Sequence, residues 1–205
     1  MFFGDLALEV CPEVYEPSED SFLFAKNLHV RAEARVLDVG TGSGILAILV
    51  AKQACEVVAT DINPYAIRCA KQNAKCNNVT ENLAFLQGDL FEPLSETQKF
   101  DLILFNSPYL PSELSEDQTW LGRAWAGGIT GRQVIDEFIA EAPPHLELTG
   151  EILLLQSTLA GVEETIAKFQ AAGLKAEVAA QQSLPFFETL VLLKATFKQN
   201  ELAEF

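Results

Sequence analysis

The chain has 205 residues, enough for one well-filled domain and short for two. Its hydrophobic fraction of 49% supports a real core, and 21% charged residues is ordinary for a globular protein. The formal net charge of -15 is not ordinary. It repels phosphate backbones at long range and suits a basic protein partner, unless it serves only solubility or adaptation to salt.

Four cysteines, Cys11, Cys55, Cys69 and Cys76, form no CxxC pair and no Cys/His cluster with metal-ligand spacing. Cys69 and Cys76 stand two helical turns apart, too far for a disulfide, so buried reduced thiols are expected. The start, Met1-Phe2-Phe3-Gly4-Asp5, lacks the basic and long apolar regions of a signal peptide. No apolar run is long enough to span a bilayer. A cytoplasmic protein is the expectation.

Residues 1–15 show no clear period and read as a short strand or loop. Ser18, Glu19, Asp20 and Ser21 then fit a helix start, with Leu23, Phe24 and Leu28 as its apolar face. Arg35 to Val39 is the first core strand. It runs into the glycine turn Gly40-Thr41-Gly42-Ser43-Gly44 and an apolar helix from Ile45 to about Lys52. Strand, glycine turn and helix is an arrangement for nucleotide-type ligands, here spaced GxGxG and not GxGxxG.

Glu56 to Thr60 is the second strand. Asp61 at its end can accept both hydroxyls of a ribose, or cap the helix that Asn63-Pro64 opens and that ends near Cys76. Leu83 to Gln87 is the third strand. Asp89 after it can take an adenine amino group with Leu90 against the ring, or be a plain turn residue.

The fourth strand, Leu102-Ile103-Leu104-Phe105, ends in Asn106-Ser107-Pro108-Tyr109. Ligands of open α/β sheets bind outside the carboxyl ends of strands, so these residues should line a crevice. An asparagine oxygen, a turn carbonyl and a ring can hold one flat NH2 group. Pro111 to Trp120 reads as a surface loop. Trp120 to Gly128 reads either as a lid or as satellite core. Gly131 to Ala140 and Val162 to Ala171 are helical; Glu151 to Gln156, Leu174 to Ala180 and Phe187 to Ala195 complete the strands. The tail from Asn200 to Phe205 is expected to fray.

Glycines, Asp61 and Asp89 on three strand ends, with a polar clamp on a fourth, suit S-adenosylmethionine best. A nicotinamide cofactor would want a proton relay, and His29 and His145 lie outside the strand ends, as surface or capping residues.

Asp38-Val39-Gly40-Thr41-Gly42-Ser43-Gly44 with Asn106-Ser107-Pro108-Tyr109 resembles class I methyltransferases acting on planar nitrogen. Val14-Tyr15-Glu16-Pro17-Ser18-Glu19-Asp20-Ser21, and Trp125-Ala126-Gly127-Gly128 with Gly131-Arg132, are narrower. They resemble the HemK2/Mtq2 branch, the eukaryotic and archaeal release-factor glutamine methyltransferases. The match runs from Tyr15 to about Ala195.

The resemblance implies a Rossmann-like α/β fold with a seven-stranded, mostly parallel sheet whose last strand is antiparallel. Residues 1–205 would form one domain with a short N-terminal extension of about 1–30. It implies S-adenosylmethionine as cofactor, held by Ser21, Asp38, Gly40, Gly42, Asp61, Ile62, Asp89, Leu90 and Asn106. It assigns catalysis to Asn106, Ser107, Pro108 and Tyr109, with no metal. The acceptor would be the glutamine of the Gly-Gly-Gln motif in a class I release factor. A small zinc-binding activator of the Trm112 type would cover an apolar sheet edge, with Met1-Phe2-Phe3 and the runs near Val57 and Leu83 as candidate surface or as core. The family pattern is Asn-Pro-Pro-Tyr; Ser107 departs from it, loses the fixed φ of proline and predicts a looser placement. Protein lysine and adenine N6 are alternative acceptors. A non-catalytic scaffold is a further alternative, but it would predict damaged strand ends.

Overall fold

In the computed structural model, residues 1–53, 56–113 and 118–198 are described. Short apolar runs alternating with amphipathic stretches bury each run as a strand, with helices on both faces of the sheet. The strands are β1 (Phe2–Phe3), β2 (Leu6–Ala7), β3 (Arg35–Val39), β4 (Glu56–Asp61), β5 (Leu83–Gln87), β6 (Phe100–Asn106), β7 (Leu146–Ser157), β8 (Leu174–Ser183) and β9 (Thr189–Phe197). The helices are α1 (Glu19–Lys26), α2 (Ile45–Ala51), α3 (Pro64–Cys76), α4 (Trp120–Arg123), α5 (Gln133–Glu141) and α6 (Val162–Ala171).

β1 and β2 pair as a hairpin, and the other strands form one sheet in the order β5-β4-β3-β6-β7-β9-β8. β9 runs antiparallel to both neighbours and the remaining pairs are parallel. This is the expected seven-stranded α/β sheet. Strand order reverses between β3 and β6, the switch point where such sheets open a crevice. Alternation along the strands splits the core. Val36, Leu104 and Leu155 pack with Phe24 of α1 and Leu46 of α2; Leu37, Phe105 and Leu154 pack with Phe138 of α5 and Phe169 of α6.

The N-terminal segment is held by two asparagines on one face of α3. Asn73 Oδ1 accepts from the Glu9 N–H at 2.8 Å, and Asn77 Oδ1 from the Ala7 N–H at 3.1 Å. Their Nδ2 groups return bonds to Glu9 O at 3.0 Å and Ala7 O at 2.8 Å. Four helical residues rise about 6 Å and two extended residues about 6.6 Å, so the two asparagine amides match the strand period. Asn73 Nδ2 also reaches Ser43 O at 2.9 Å, which links this arm to the glycine turn.

Several expectations need correction. Cys11 and Cys69 are paired as a disulfide with Cα atoms 6.0 Å apart, and Cys76 is free and exposed, so these are not buried reduced thiols. The docking of the N-terminal arm on α3 brings the pair together, and spacing along one helix could not show it. His145 is buried, with Nδ1 3.0 Å from Gln98 O and its ring stacked on Phe91. Val57 and Leu83 are core, so of the candidate apolar surface Met1 and Phe2 remain exposed. β7 begins at Leu146, because Thr149-Gly150 lies in an irregular stretch of the ladder and not at a strand start. Cys55, residues 114–117 of the surface loop, and the tail lie outside the described residues. Among the described residues no helix is long and apolar enough to cross a membrane.

Candidate active site

The carboxyl ends of β3, β4, β5 and β6 open into a cavity of about 450 Å³. Every site residue expected from the sequence lines it: Ser21, Asp38, Gly40, Gly42, Asp61, Ile62, Asp89, Leu90, Asn106, Ser107, Pro108 and Tyr109. The volume lies within the range of small-molecule pockets.

On the glycine-turn side, Gly42 has φ +55, and a Cβ built there would meet nothing within 4 Å. Backbone faces open space at this point. The Gly42 N–H donates to Asp61 Oδ2 at 2.8 Å, and the Asn63 N–H to Asp61 Oδ1 at 2.8 Å. Each carboxylate oxygen keeps a further lone pair, so Asp61 can still accept two hydroxyls. Burial pushes its carboxyl up to about 6, against the lowering effect of the Asn63 and Gly42 bonds. Asp38 is buried too and rises to about 7, although Thr41 Oγ1 at 2.7 Å and the Ala47 N–H at 3.2 Å bond its Oδ2. Leu90 takes φ +39, a strained value for a branched side chain, with its carbonyl held by Thr60 Oγ1 at 3.2 Å. Asp89 beside it is exposed.

On the β6 side, Asn106 is fixed by its amide nitrogen. Nδ2 donates to Asp20 Oδ2 at 3.2 Å and to Ser21 Oγ at 3.4 Å. Its Oδ1 is buried and has no hydrogen-bond partner. A buried acceptor without a partner is costly, and Asn106 is one of the residues that line the cavity. The Ser107 N–H and hydroxyl both reach Leu155 O, at 3.2 and 2.7 Å, and the residue is buried. These two bonds tether to β7 the serine that stands where the family pattern has a proline.

Tyr109 is half-buried, and burial, followed by the Asp20 charge, holds its phenol far above the ordinary tyrosine range. The ring stays neutral. The segment after it is tied to the Trp-Ala-Gly-Gly stretch: the Leu110 N–H donates to Trp125 O at 3.0 Å and the Gly127 N–H to Leu110 O at 2.8 Å. A Cβ on Gly131 would lie 2.4 Å from Tyr109 O, so only glycine fits there. Buried Arg132 anchors the start of α5 through Thr165 Oγ1 at 3.0 Å and Asp136 at 2.7 Å. Trp120 and Trp125 are half-buried and line the cavity, so they are not satellite core.

Asp20 is the residue that sequence reasoning missed. It is buried, accepts from Tyr15 OH at 3.3 Å and orients Asn106 across 86 positions of chain. The available signal was an acid inside the Tyr-Glu-Pro-Ser-Glu-Asp-Ser segment, which reads equally well as helix-dipole chemistry.

The chain is similar to several known proteins. A Methanocaldococcus jannaschii protein provisionally named a protein N5-glutamine methyltransferase is 47% identical over 191 residues, covering 91% of this chain and 94% of that protein. The human methyltransferase HEMK2 is 34% identical over 209 residues, covering 95% of each. The chain belongs to the HemK2-like protein glutamine methyltransferases. The family model for ribosomal protein L11 methyltransferase (PrmA) also matches residues 20–107, the stretch from Asp20 through Ser107. Among solved structures, the E. cuniculi Mtq2-Trm112 complex, responsible for methylation of the eRF1 translation termination factor, contains a chain of the same fold. It superposes with a TM-score of 0.70 at 23% identity over 91% of this chain and 99% of that one.

Proposed function

We propose that the chain transfers a methyl group from S-adenosylmethionine to the side-chain amide nitrogen of the glutamine in the Gly-Gly-Gln motif of a class I release factor. The observation that carries this reading is the Asn106 amide: its nitrogen is occupied by Asp20 and Ser21, and its oxygen is buried without a partner. Family membership and the related complex acting on a termination factor support the same acceptor.

The residues present fit the cofactor. Asp61 has lone pairs for the ribose hydroxyls, and the open face of Gly42 leaves room beside them. Asp89, Leu90 and Ile62 would hold the adenine, and Ser21, Asp38 and Gly40 the amino-acid end. When bound, S-adenosylmethionine supplies an electrophilic methyl group on a sulfonium.

A carboxamide nitrogen is a poor nucleophile because its lone pair is delocalised into the carbonyl. Asn106 Oδ1 accepts one N–H of the acceptor amide and the Ser107 carbonyl accepts the other, which sets the amide plane. The Tyr109 ring packs against that plane. Orientation of this kind is worth up to about 7–11 kcal/mol in the best model systems. Two acceptors and a ring do this work without a strong base, and among the described residues no His or Lys lines the cavity. The surplus proton leaves to solvent after transfer.

The test is mass spectrometry of a release factor after incubation with the chain and labelled cofactor, beside a lysine peptide and duplex DNA. Label on the Gly-Gly-Gln glutamine is expected; label on lysine or adenine alone would overturn the assignment. Isothermal titration with S-adenosylmethionine separates enzyme from scaffold, since a scaffold would bind none. The setting of this reaction is the cytoplasm, where release factors work.

A Trm112-type zinc-binding activator belongs to the same reading. Its seat would be β5, which ends the sheet and offers backbone for strand pairing, with Ala84 exposed and Phe85 and Leu86 half-buried. Co-expression should raise soluble yield and activity. A monodisperse, fully active solo protein would count against the partner.

A further inference from the structure

Because β9 runs against its neighbours, its first residues lie at the carboxyl ends of β6 and β7, the edge that carries the cavity. The turn from β8 into β9 therefore stands on the rim of the site. Asn106 pairs with Leu155, and Ser157 with Leu190, so this turn lies two strand spacings, about 10 Å, from the strand that carries Asn106. The turn is closed by the Leu184 N–H to Glu188 O bond at 2.8 Å. Thr189 N–H donates to Thr158 Oγ1 at 3.1 Å, which ties it to the neighbouring turn that carries Leu159.

Phe187 in this turn has φ +66 and a fully exposed ring. A bulky residue in the left-handed region is strained, and asparagine or glycine would suit the turn better. The fold gains no burial from the ring in return. Leu159 on the adjoining turn is 54% exposed. Across the rim, Glu19 is exposed in the first turn of α1, and α1 packs on β8 and β9. Behind burial, the charges that raise the Tyr109 phenol include Asp20, Glu188 and Glu19, so acids approach Tyr109 from α1 and from the β8–β9 turn together. Among the described residues, Arg123 is the basic side chain lining the cavity, and it lies over the Trp120 ring at 5.0 Å.

Given the glutamine-transfer reading above, we propose that Phe187, Leu159, Glu188 and Glu19 form a docking rim for the acceptor polypeptide beside its glutamine. The flanking segment is basic and carries an apolar side chain that packs on Phe187. Exposed aromatic anchors beside charged neighbours commonly dominate such contacts. A nucleic acid would meet like charge here, and so would a second copy of a chain whose net charge is -15.

The test uses the full chain, with its activator where that is needed, and a release factor as acceptor. Phe187→Asn and Glu188→Lys should each raise KM for the factor about tenfold, which corresponds to about 1.4 kcal/mol. Turnover should stay within about twofold, and the Kd for S-adenosylmethionine should not move. Phe187→Asn should not lower Tm, since asparagine tolerates the left-handed region. Exchanging a basic residue beside the glutamine for an acidic one should restore the Glu188→Lys enzyme. Unchanged KM in both variants of an active enzyme overturns the rim and leaves glutamine transfer standing. A wild-type chain that labels no glutamine defeats the underlying reading instead. A dimer of the wild type that Phe187→Asn dissociates would assign the surface to a second copy and also overturn it.

Discussion

At the ends of β3 and β4, the Asp61 and Asp38 carboxylates already hold N–H and O–H groups of the glycine turn and its flanks. At the end of β6, by contrast, Asn106 Oδ1 is buried and holds nothing. The first region is built from neighbours: Gly42, in the turn after β3, and Asp61, at the end of the adjoining parallel strand β4, are 19 positions apart. The second gathers Asp20 and Asn106 across 86 positions and Ser107 and Leu155 across 48. The difference separates two tasks. On the proposed reading, the glycine-turn side is a finished surface that a hydroxylated ligand would supplement, and the β6 side holds an unpartnered acceptor for an incoming N–H group.

Asn106→Ala is the strongest way to break that division. Methyl transfer should fall at least about 100-fold, while the Kd for S-adenosylmethionine stays within about threefold by isothermal titration. Equal loss of binding and turnover would mean that the two regions are one. Asp20→Ala should come next, lowering kcat about tenfold by releasing Asn106 Nδ2. Asp20→Asn, which still offers an oxygen to that nitrogen, should recover part of the loss. No recovery would place the negative charge of Asp20, and not its geometry, in the reaction.

The glycine-turn side is sharpened by pH. Below about 6 the Asp61 carboxyl is protonated in the free protein, so cofactor affinity should weaken by up to tenfold per pH unit there and level off above about 7. Asp61→Asn should flatten the profile. For folding the sign is the reverse. Both carboxyls bind protons more tightly in the folded chain than at the ordinary value of 3.8. Their contribution is complete below that value and is lost as pH rises through about 6 for Asp61 and about 7 for Asp38. The Tm gain on adding cofactor should therefore be larger at pH 7.5 than at pH 5, and an equal gain would remove Asp61 from the ribose. The smallest effect is expected at Ser107→Ala, which removes one bond to Leu155 O: about 1 kcal/mol, or about 2–4 °C in Tm, with kcat within about threefold. A larger kinetic loss would give the hydroxyl a part in the chemistry.

Legibility followed range. β3, α3 and β5 have the bounds expected from their apolar runs and from the Asn63-Pro64 cap. Twelve residues expected at the site line one cavity because strand ends in a parallel sheet converge on one edge. Asp20 could not be separated from an ordinary helix-start acid, and Cys11 gave no sign of Cys69. Nor could the firmness of Ser107 be read, since its restraint is a carbonyl 48 positions away.

The order of apolar runs, the glycine turn and the Asn-Ser-Pro-Tyr stretch were sufficient to indicate the sheet and the edge where its cavity opens. Those features depend on local periodicity and on backbone rules that apply to any parallel sheet. Only the folded molecule decided which way the Asn106 amide points, how firmly Ser107 is held and what stands on the rim. These depend on side chains that meet across the sheet, and on a reversed strand that carries its leading turn to the edge where the cavity opens.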